Sequence, residues 1–238
     1  MIFSRFLAFD TGSQEILVGR LSAAFPDHGF LAEEGLSRPG GSAYRWIIDP
    51  LDGTTNFAHT LPVFSVSVAL EYQGRIVLGF IYDPMREELF LAEAGRGAVL
   101  NGDRIRVSGI GDLTKSLLVT GFPYDIRTSP VNNMDHWGRF IVRAQAIRRL
   151  GSAALDLAYV ACGRFDGFWE LKLNPWDVAA GALIVGEAGG RVTDLEGREF
   201  DILAPGIVAT NGLVHAAMLE ILGMGTMAPE KDGSDEKI

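Results

Sequence analysis

Residues 46–57 read WIIDPLDGTTNF: three apolar residues, a carboxylate at Asp49, a second at Asp52, then a glycine and two threonines. The apolar run reads as a buried strand, and the acids fall where it stops. Pro50 has a fixed φ and pushes Asp49 toward an extended conformation, which holds the first acid at the strand end. Gly53 permits a close backbone approach to a ligand. Thr54 and Thr55 then open amide N–H groups at a possible helix start, a ready site for phosphate. Further acids sit at element ends: Asp10 before a first helix, Glu33 after the short strand Phe30-Leu31 with Glu34 beside it, and Asp177 after Asn174-Pro175-Trp176. In open sheets, side chains at strand ends converge on a ligand. Converging carboxylates repel one another and shift each other's pKa unless cations neutralise them. A set of oxygen donors suits Mg2+, Mn2+ or Ca2+ and not Zn2+, which takes His or Cys. Taken singly, each acid has a structural explanation: Asp10 and Asp177 as helix caps, Asp52-Gly53 as a turn, Glu33-Glu34 as a solvated pair. Taken together they fit two metal ions that clamp the attacking and leaving oxygens of an in-line displacement at phosphorus and acidify a water. The chemistry expected is metal-dependent hydrolysis of a phosphate ester.

The elements that must position these groups intermix strands and helices without strict alternation. Apolar spacing predicts a helix over 15–25, and strands at 30–31, 44–48, 63–70, 75–82, 89–92 and 98–100, with Asn101-Gly102 as a hairpin signal. Beyond Ser116, strands are expected at 117–120, within 165–173, at 191–194 and at 206–209. Helices are expected at 137–146, 152–161 (entered through Gly151), 177–188 (stopped by Gly189-Gly190) and 214–222. The fold class expected is α/β (α+β), a layered sandwich. Residues 1–115 form an N-terminal α+β half that binds metal and phosphate. Residues 116–222 form a C-terminal α/β half that completes the site, and the polar stretch 223–238 reads as a disordered tail.

At 238 residues, with 47% apolar and 21% charged residues, the chain is long enough for a sizeable core. A net charge of -9 argues against nucleic acid or an anionic membrane as partner, and it requires a local cation wherever an anionic substrate binds. The lone Cys162 excludes a disulfide framework and reads as a packed thiol. No run approaches the ~20 apolar residues of a membrane span. A cytoplasmic protein is expected. None of the four histidines stands at metal-ligand spacing from another, and Arg148-Arg149 reads as a solvated pair, the alternative being that one of them, preceding Gly151, approaches the substrate or a partner subunit.

DPLDGTTNF, the upstream Glu33-Glu34, and the downstream NPWDVAAG with EAGG closely resemble the inositol monophosphatase family, part of the Mg2+-dependent, lithium-sensitive sugar-phosphatase superfamily. The likeness runs from about Asp10 to about Asn211. It implies a layered αβαβα sandwich, usually a homodimer, that hydrolyses myo-inositol monophosphates or related small phosphorylated polyols and sugars with two to three Mg2+ ions, Mn2+ being a possible substitute. By the resemblance, Glu33, Asp49, the Leu51 carbonyl, Asp52 and Asp177 look like the metal ligands, with Glu34 supporting the site from beside them. Asp10 and Thr54 match the pair that orients and deprotonates the nucleophilic water, with Glu33 also taking part in catalysis. The Gly53 and Thr54 amides would hold the phosphate next to Asp52 and Asp177, and Gly151, Ser152, Ala153 and Glu170 would line the polyol pocket. Two departures stand out: Ala32 replaces the usual Gly before the acidic pair, and only MIFSRFLAF precedes Asp10 where the family carries about two more helices, so the N-terminal layer is expected to be shortened. Within the resemblance the alternative substrates are fructose-1,6-bisphosphate, histidinol phosphate and 3′-phosphonucleotides. A catalytically inactive regulatory homologue is the alternative outside the enzyme class.

Overall fold

The computed structural model describes residues 2–224. A first helix, α1 (Ile2–Ala24), leads into β1 (Gly29–Ala32), β2 (Ser37–Arg38) and β3 (Tyr44–Asp52). The short helix α2 (Thr54–Ala58) is followed by β4 (Ser65–Tyr72), β5 (Arg75–Asp83), β6 (Glu88–Glu93), β7 (Ala98–Leu100) and β8 (Asp103–Arg104). The chain continues through β9 (Leu117–Thr120), α3 (Met134–Ile141), β10 (Ala146–Arg148), α4 (Ala153–Ala161) and β11 (Gly167–Leu171). It closes with α5 (Pro175–Glu187), β12 (Arg191–Thr193), β13 (Gly206–Thr210) and α6 (His215–Gly223).

Eight strands form one sheet in the order β2-β1-β3-β4-β5-β6-β7-β8, and five form another in the order β10-β9-β11-β13-β12. Helix α1 lays Leu17, Val18 and Leu21 over Phe30, Trp46, Ile48 and Val68 on the outer face of the first sheet. Helices α4 and α5 fill the space between the sheets, where Leu155, Leu157, Val178, Ala180 and Ile184 meet Ile47, Ala69 and Ile81 from one side and Val119, Phe168 and Ala209 from the other. On the far face of the second sheet, Phe140 of α3 and Met218 of α6 cover Leu118, Trp169 and Val208. The result is the αβαβα sandwich. It also accounts for the unbroken apolar triplet Trp46-Ile47-Ile48, because helices cover both faces of β3 and alternation with polar residues disappears. The small residues of α5 serve the middle layer. A Cβ on Gly181 would stand 2.5 Å from Leu157 Cδ1, so only glycine lets α5 approach α4 this closely.

Three expectations need correction. Helix α1 begins at Ile2 rather than Glu15, so Asp10 lies inside it and is not its cap. The stretch before Glu15 contains no proline, and its one glycine, Gly12, costs a helix only about 1 kcal/mol, so nothing in it ends the helix. Helix α3 stops at Ile141 instead of running to Ala146, because Ala146 has already joined β10 opposite Leu117. Strands β2, β8 and β10 were given no range from sequence, although Asn101-Gly102 signalled a hairpin before β8, since two or three residues carry little alternation. The stretch expected as a tail starts within the end of α6, and residues 225–238 lie outside the described residues. Among the described residues no helix is long and apolar enough to cross a membrane.

Candidate active site

The two acids of DPLD are three residues apart, and in a regular strand that spacing would put them on opposite faces. A bulge corrects this. Asp49 pairs with Ser67 and Asp52 with Ser65, so β3 spends three steps where β4 spends two, and both acids come to the same side. The inserted residue leaves the ladder. Its backbone is then held by side chains: the Leu51 amide donates to Asp49 Oδ1 at 2.9 Å, and the Leu51 carbonyl accepts from Thr54 Oγ1 at 3.0 Å. Gly53 turns the chain into α2 at φ +91°, and a Cβ there would stand 2.9 Å from the Val63 carbonyl oxygen. Only glycine fits both the dihedral and the space.

Helices α4 and α5 bring their N-terminal ends to this strand end. Ser152, the N-cap of α4, donates through Oγ to Asp52 Oδ2 at 2.5 Å, and the Ala154 amide donates to the same oxygen at 2.8 Å. Asp177, in the first turn of α5, accepts the Asn174 amide at 2.7 Å. Its capping role is therefore real, and it coexists with a place on the cavity wall. One cavity is lined by Glu33, Asp49, Leu51, Asp52, Gly53, Thr54, Gly151, Ser152, Ala153, Glu170 and Asp177. Asp10 and Glu34 do not line it. They lie beside it, with ligand oxygens of Asp10, Glu33 and Glu34 within 4.8 Å of one another. Helix α1 fastens to this corner through the same face that carries Asp10: Ser13 Oγ donates to the Pro50 carbonyl at 3.3 Å, and Gln14 Oε1 accepts the Glu34 amide at 3.2 Å. Thr54 donates its hydroxyl proton to the Leu51 carbonyl, and Asp10 Oδ1 is buried without a hydrogen-bond partner.

The electrostatics are those of acids crowded out of water. Burial first, then Asp52, Glu33 and Asp177, pushes the Asp49 carboxyl well above its ordinary range. Burial also raises Asp52, against the opposing hydrogen bonds from Ser152 and Ala154. Glu33 is raised mainly by burial. Asp177 is lifted to about 7 by burial, with the Asn174 amide opposing, and Asp10 to about 7 by burial and then by Glu34 and Glu33. Four carboxylates and a carbonyl around one cavity form an all-oxygen donor set whose repulsion a hard divalent cation would relieve, so these residues fit such ions.

The opposite wall belongs to the second half of the chain. Glu170, on β11, is 8% exposed, and burial lifts its carboxyl to about 8. The end of β9 makes room for it, since a Cβ on Gly121 would fall 2.0 Å from Glu170 Oε1. Several residues that line the cavity had no site role assigned from sequence, among them Asn56, Asp156, Arg149 and Tyr124. Asn56 is buried in α2, and its Nδ2 donates to the carbonyls of Val63 (2.8 Å), Leu150 (2.8 Å) and Gly151 (3.3 Å), tying the DPLDGTTN segment to the turn that starts α4. Asp156 lies one turn into α4. Arg149, expected as part of a solvated pair, lines the cavity, as does Tyr124. The Tyr124 loop is pinned by Lys172 Nζ, which donates to Asp125 Oδ2 at 2.8 Å and to Ser129 Oγ at 2.7 Å. Adjacency to the GSA turn was the available signal for Arg149. Asn56 and Asp156 had none, because two of Asn56's three acceptors, Leu150 and Gly151, and the cavity around Asp156 come from segments remote in sequence. Cys162 ends α4, and burial raises its thiol, in keeping with a packed side chain.

An αβαβα sandwich with an acidic, all-oxygen cavity at the bulged end of β3 is the architecture of a protein class suited to hard divalent ions. The inositol monophosphatase family profile matches residues 6–223, and the chain belongs to that family, a metal-dependent one. An inositol-1-monophosphatase from Mesorhizobium japonicum is 47% identical over 213 residues, covering 89% of this chain and 80% of its own. The Nus factor SuhB of Pseudomonas aeruginosa is 46% identical over 217 residues, covering 88% and 79%. The solved inositol monophosphatase from Anabaena superposes with a TM-score of 0.89 at 45% identity, over 93% of this chain and 88% of that one.

Proposed function

We propose that this protein is a Mg2+-dependent phosphomonoester hydrolase whose substrate is a small polyol phosphate, inositol 1-phosphate first. The observation that carries this is the convergence of Glu33, Asp49, Asp52 and Asp177 on one cavity that also holds Gly53, Thr54 and Glu170. Glu33, Asp49, Asp52, Asp177 and the Leu51 carbonyl would hold the ions, which when bound neutralise the carboxylates, polarise the phosphoryl group and acidify water. The Gly53-Thr54 backbone would hold the phosphate. Thr54 and Asp10 would orient the attacking water and accept its proton, with Glu34 supporting that corner. Glu170 would accept hydrogen bonds from the alcohol, beside the Gly151-Ser152-Ala153 turn. The water oxygen would bond to phosphorus as its proton passes to Asp10, the ester P–O bond would break, and the departing alkoxide would take up a proton from water, leaving inorganic phosphate and the free alcohol.

The test is phosphate release from inositol 1-phosphate, fructose-1,6-bisphosphate, histidinol phosphate and 3′-phosphoadenosine 5′-phosphate, with Mg2+ and with chelator. Mg2+-dependent turnover fastest on inositol 1-phosphate is expected. No phosphate from any ester, with the fold intact by circular dichroism, overturns the proposal and favours a second one. That second proposal rests on the relatives named Nus factor SuhB, and it makes the chain a non-catalytic factor. A homodimer is expected by light scattering.

A further inference from the structure

Helix α4 is buried along its whole length, and its sequence AALDLAYVA contains one charged residue, Asp156. That side chain is 1% exposed, and its Oδ1 has no hydrogen-bond partner. Carboxyl oxygens buried without a partner are costly and rare, and each calls for an explanation. Packing does not supply one here, since Leu155, Leu157 and Ala158 on either side are buried in the apolar core and an apolar side chain would serve the helix as well. The position does supply one. Asp156 stands four residues after Ser152, so it lies on the same helix face one turn deeper, and it lines the same cavity. Its charged neighbours there are Glu170, then Asp52, then Arg149.

We propose that Asp156 is a specificity-determining residue of the alcohol subsite, a second carboxyl beside Glu170 that hydrogen-bonds ring hydroxyls of a polyol phosphate. The proposal deepens the phosphatase assignment and rests on it. Glu170 and Asp156 reach the cavity from different elements, β11 and α4, so together they address two hydroxyls rather than one. Burial and then Glu170 push the Asp156 carboxyl up, and its oxygens can accept from a hydroxyl whichever protonation state it takes. Each hydroxyl is both donor and acceptor, so this wall matches a polyhydroxylated alcohol. It has nothing to offer a plain aryl or alkyl ester.

The experiment compares wild type, Asp156→Leu and Asp156→Asn on myo-inositol 1-phosphate and on p-nitrophenyl phosphate, whose leaving group has no neighbouring hydroxyls. Leucine has nearly the same volume, and replacing an unpartnered buried acid with it leaves the melting temperature unchanged or higher. Asp156→Leu is expected to lower kcat/KM for the inositol ester at least about tenfold, mainly through KM, and to change that for p-nitrophenyl phosphate less than about twofold. Asp156→Asn, which keeps a donor and an acceptor, recovers most of the loss. An equal fall on both esters, or no fall on either, overturns the proposal. Wild-type protein inactive on every ester overturns the phosphatase assignment instead. Asp156 is then judged by calorimetric binding of myo-inositol 1-phosphate against inorganic phosphate. Selective weakening of the former by Asp156→Leu supports the subsite, and equal or no weakening overturns it.

Discussion

Replacing Asn56 with alanine removes a side chain that joins the phosphate-side segment to the Leu150-Gly151 turn. Two of its three hydrogen bonds, to Val63 and Leu150, are short at 2.8 Å, and the third, to Gly151, is 3.3 Å. A neutral hydrogen bond contributes about 1 kcal/mol net, so the two short ones together come to about 2 kcal/mol. If the carbonyls left behind stay shielded from water, the loss rises to about 3 kcal/mol. For a chain of this size, about 2 kcal/mol corresponds to a fall in Tm of roughly 4–8 °C. Asn56→Asp sharpens the test, since it turns an oxygen toward three carbonyl oxygens and is expected to destabilise more than alanine does. Urea unfolding in excess chelator reads the stability, and KM for the phosphate ester reads the loosened Gly151-Ser152 turn. If Asn56→Ala stays within about 0.5 kcal/mol of wild type, or Asn56→Asp matches wild type, the cross-link is not a structural tie and the reasoning fails.

Asp52→Asn keeps an oxygen for Ser152 and Ala154 but loses the charge, so turnover should fall at least about 10²-fold while melting in chelator stays level or rises, because one repelling charge is gone. Near-normal activity would show that Asp52 is not an ion ligand. Gly53→Ala forces a Cβ to within 2.9 Å of the Val63 carbonyl at φ +91°, and a loss of about 1–2 kcal/mol in urea unfolding is expected, together with weaker phosphate binding. A variant as stable as wild type would contradict the close approach. The pH dependence follows from the raised acids. Unfolded carboxyls titrate near pH 4, whereas in the folded protein Asp10 and Asp177 titrate at about 7 and Glu170 at about 8. Between those limits the folded state binds more protons, so these groups make the chelated protein lose stability as pH rises from about 4 to about 8. Mg2+ should raise Tm and flatten that decline by mass action on the folded state. A Tm indifferent to Mg2+ across this range would falsify an occupied acidic cluster.

The layers and the acidic half of the site were legible because their signals are local. The apolar triplet, the proline, two acids and a glycine lie within nine residues, and each residue type constrains its own backbone. Asp177 was legible for the same reason, since Asn174-Pro175 marks a helix start. What escaped depends on distance along the chain. Asn56 acts on Leu150, 94 residues away, and nothing near Asn56 records that partner. Asp156 carried no sequence signal, because its place on the cavity wall depends on Glu170 and Asp52, which come from other elements. Asp10 was placed at a helix start because periodicity resumes at Glu15, whereas α1 needs no apolar stripe in its first turns to propagate backward from a docked end.

The bulge in β3 has a consequence for observing the site. The Leu51 amide lies in a buried strand, yet its proton is held by the Asp49 carboxyl instead of by β4. Its exchange with solvent and its NMR frequency are thereby coupled to the charge state of a side chain, while the neighbouring ladder amides answer to unfolding of the sheet. One backbone resonance thus becomes a spectator of ion binding that needs no substrate and no turnover.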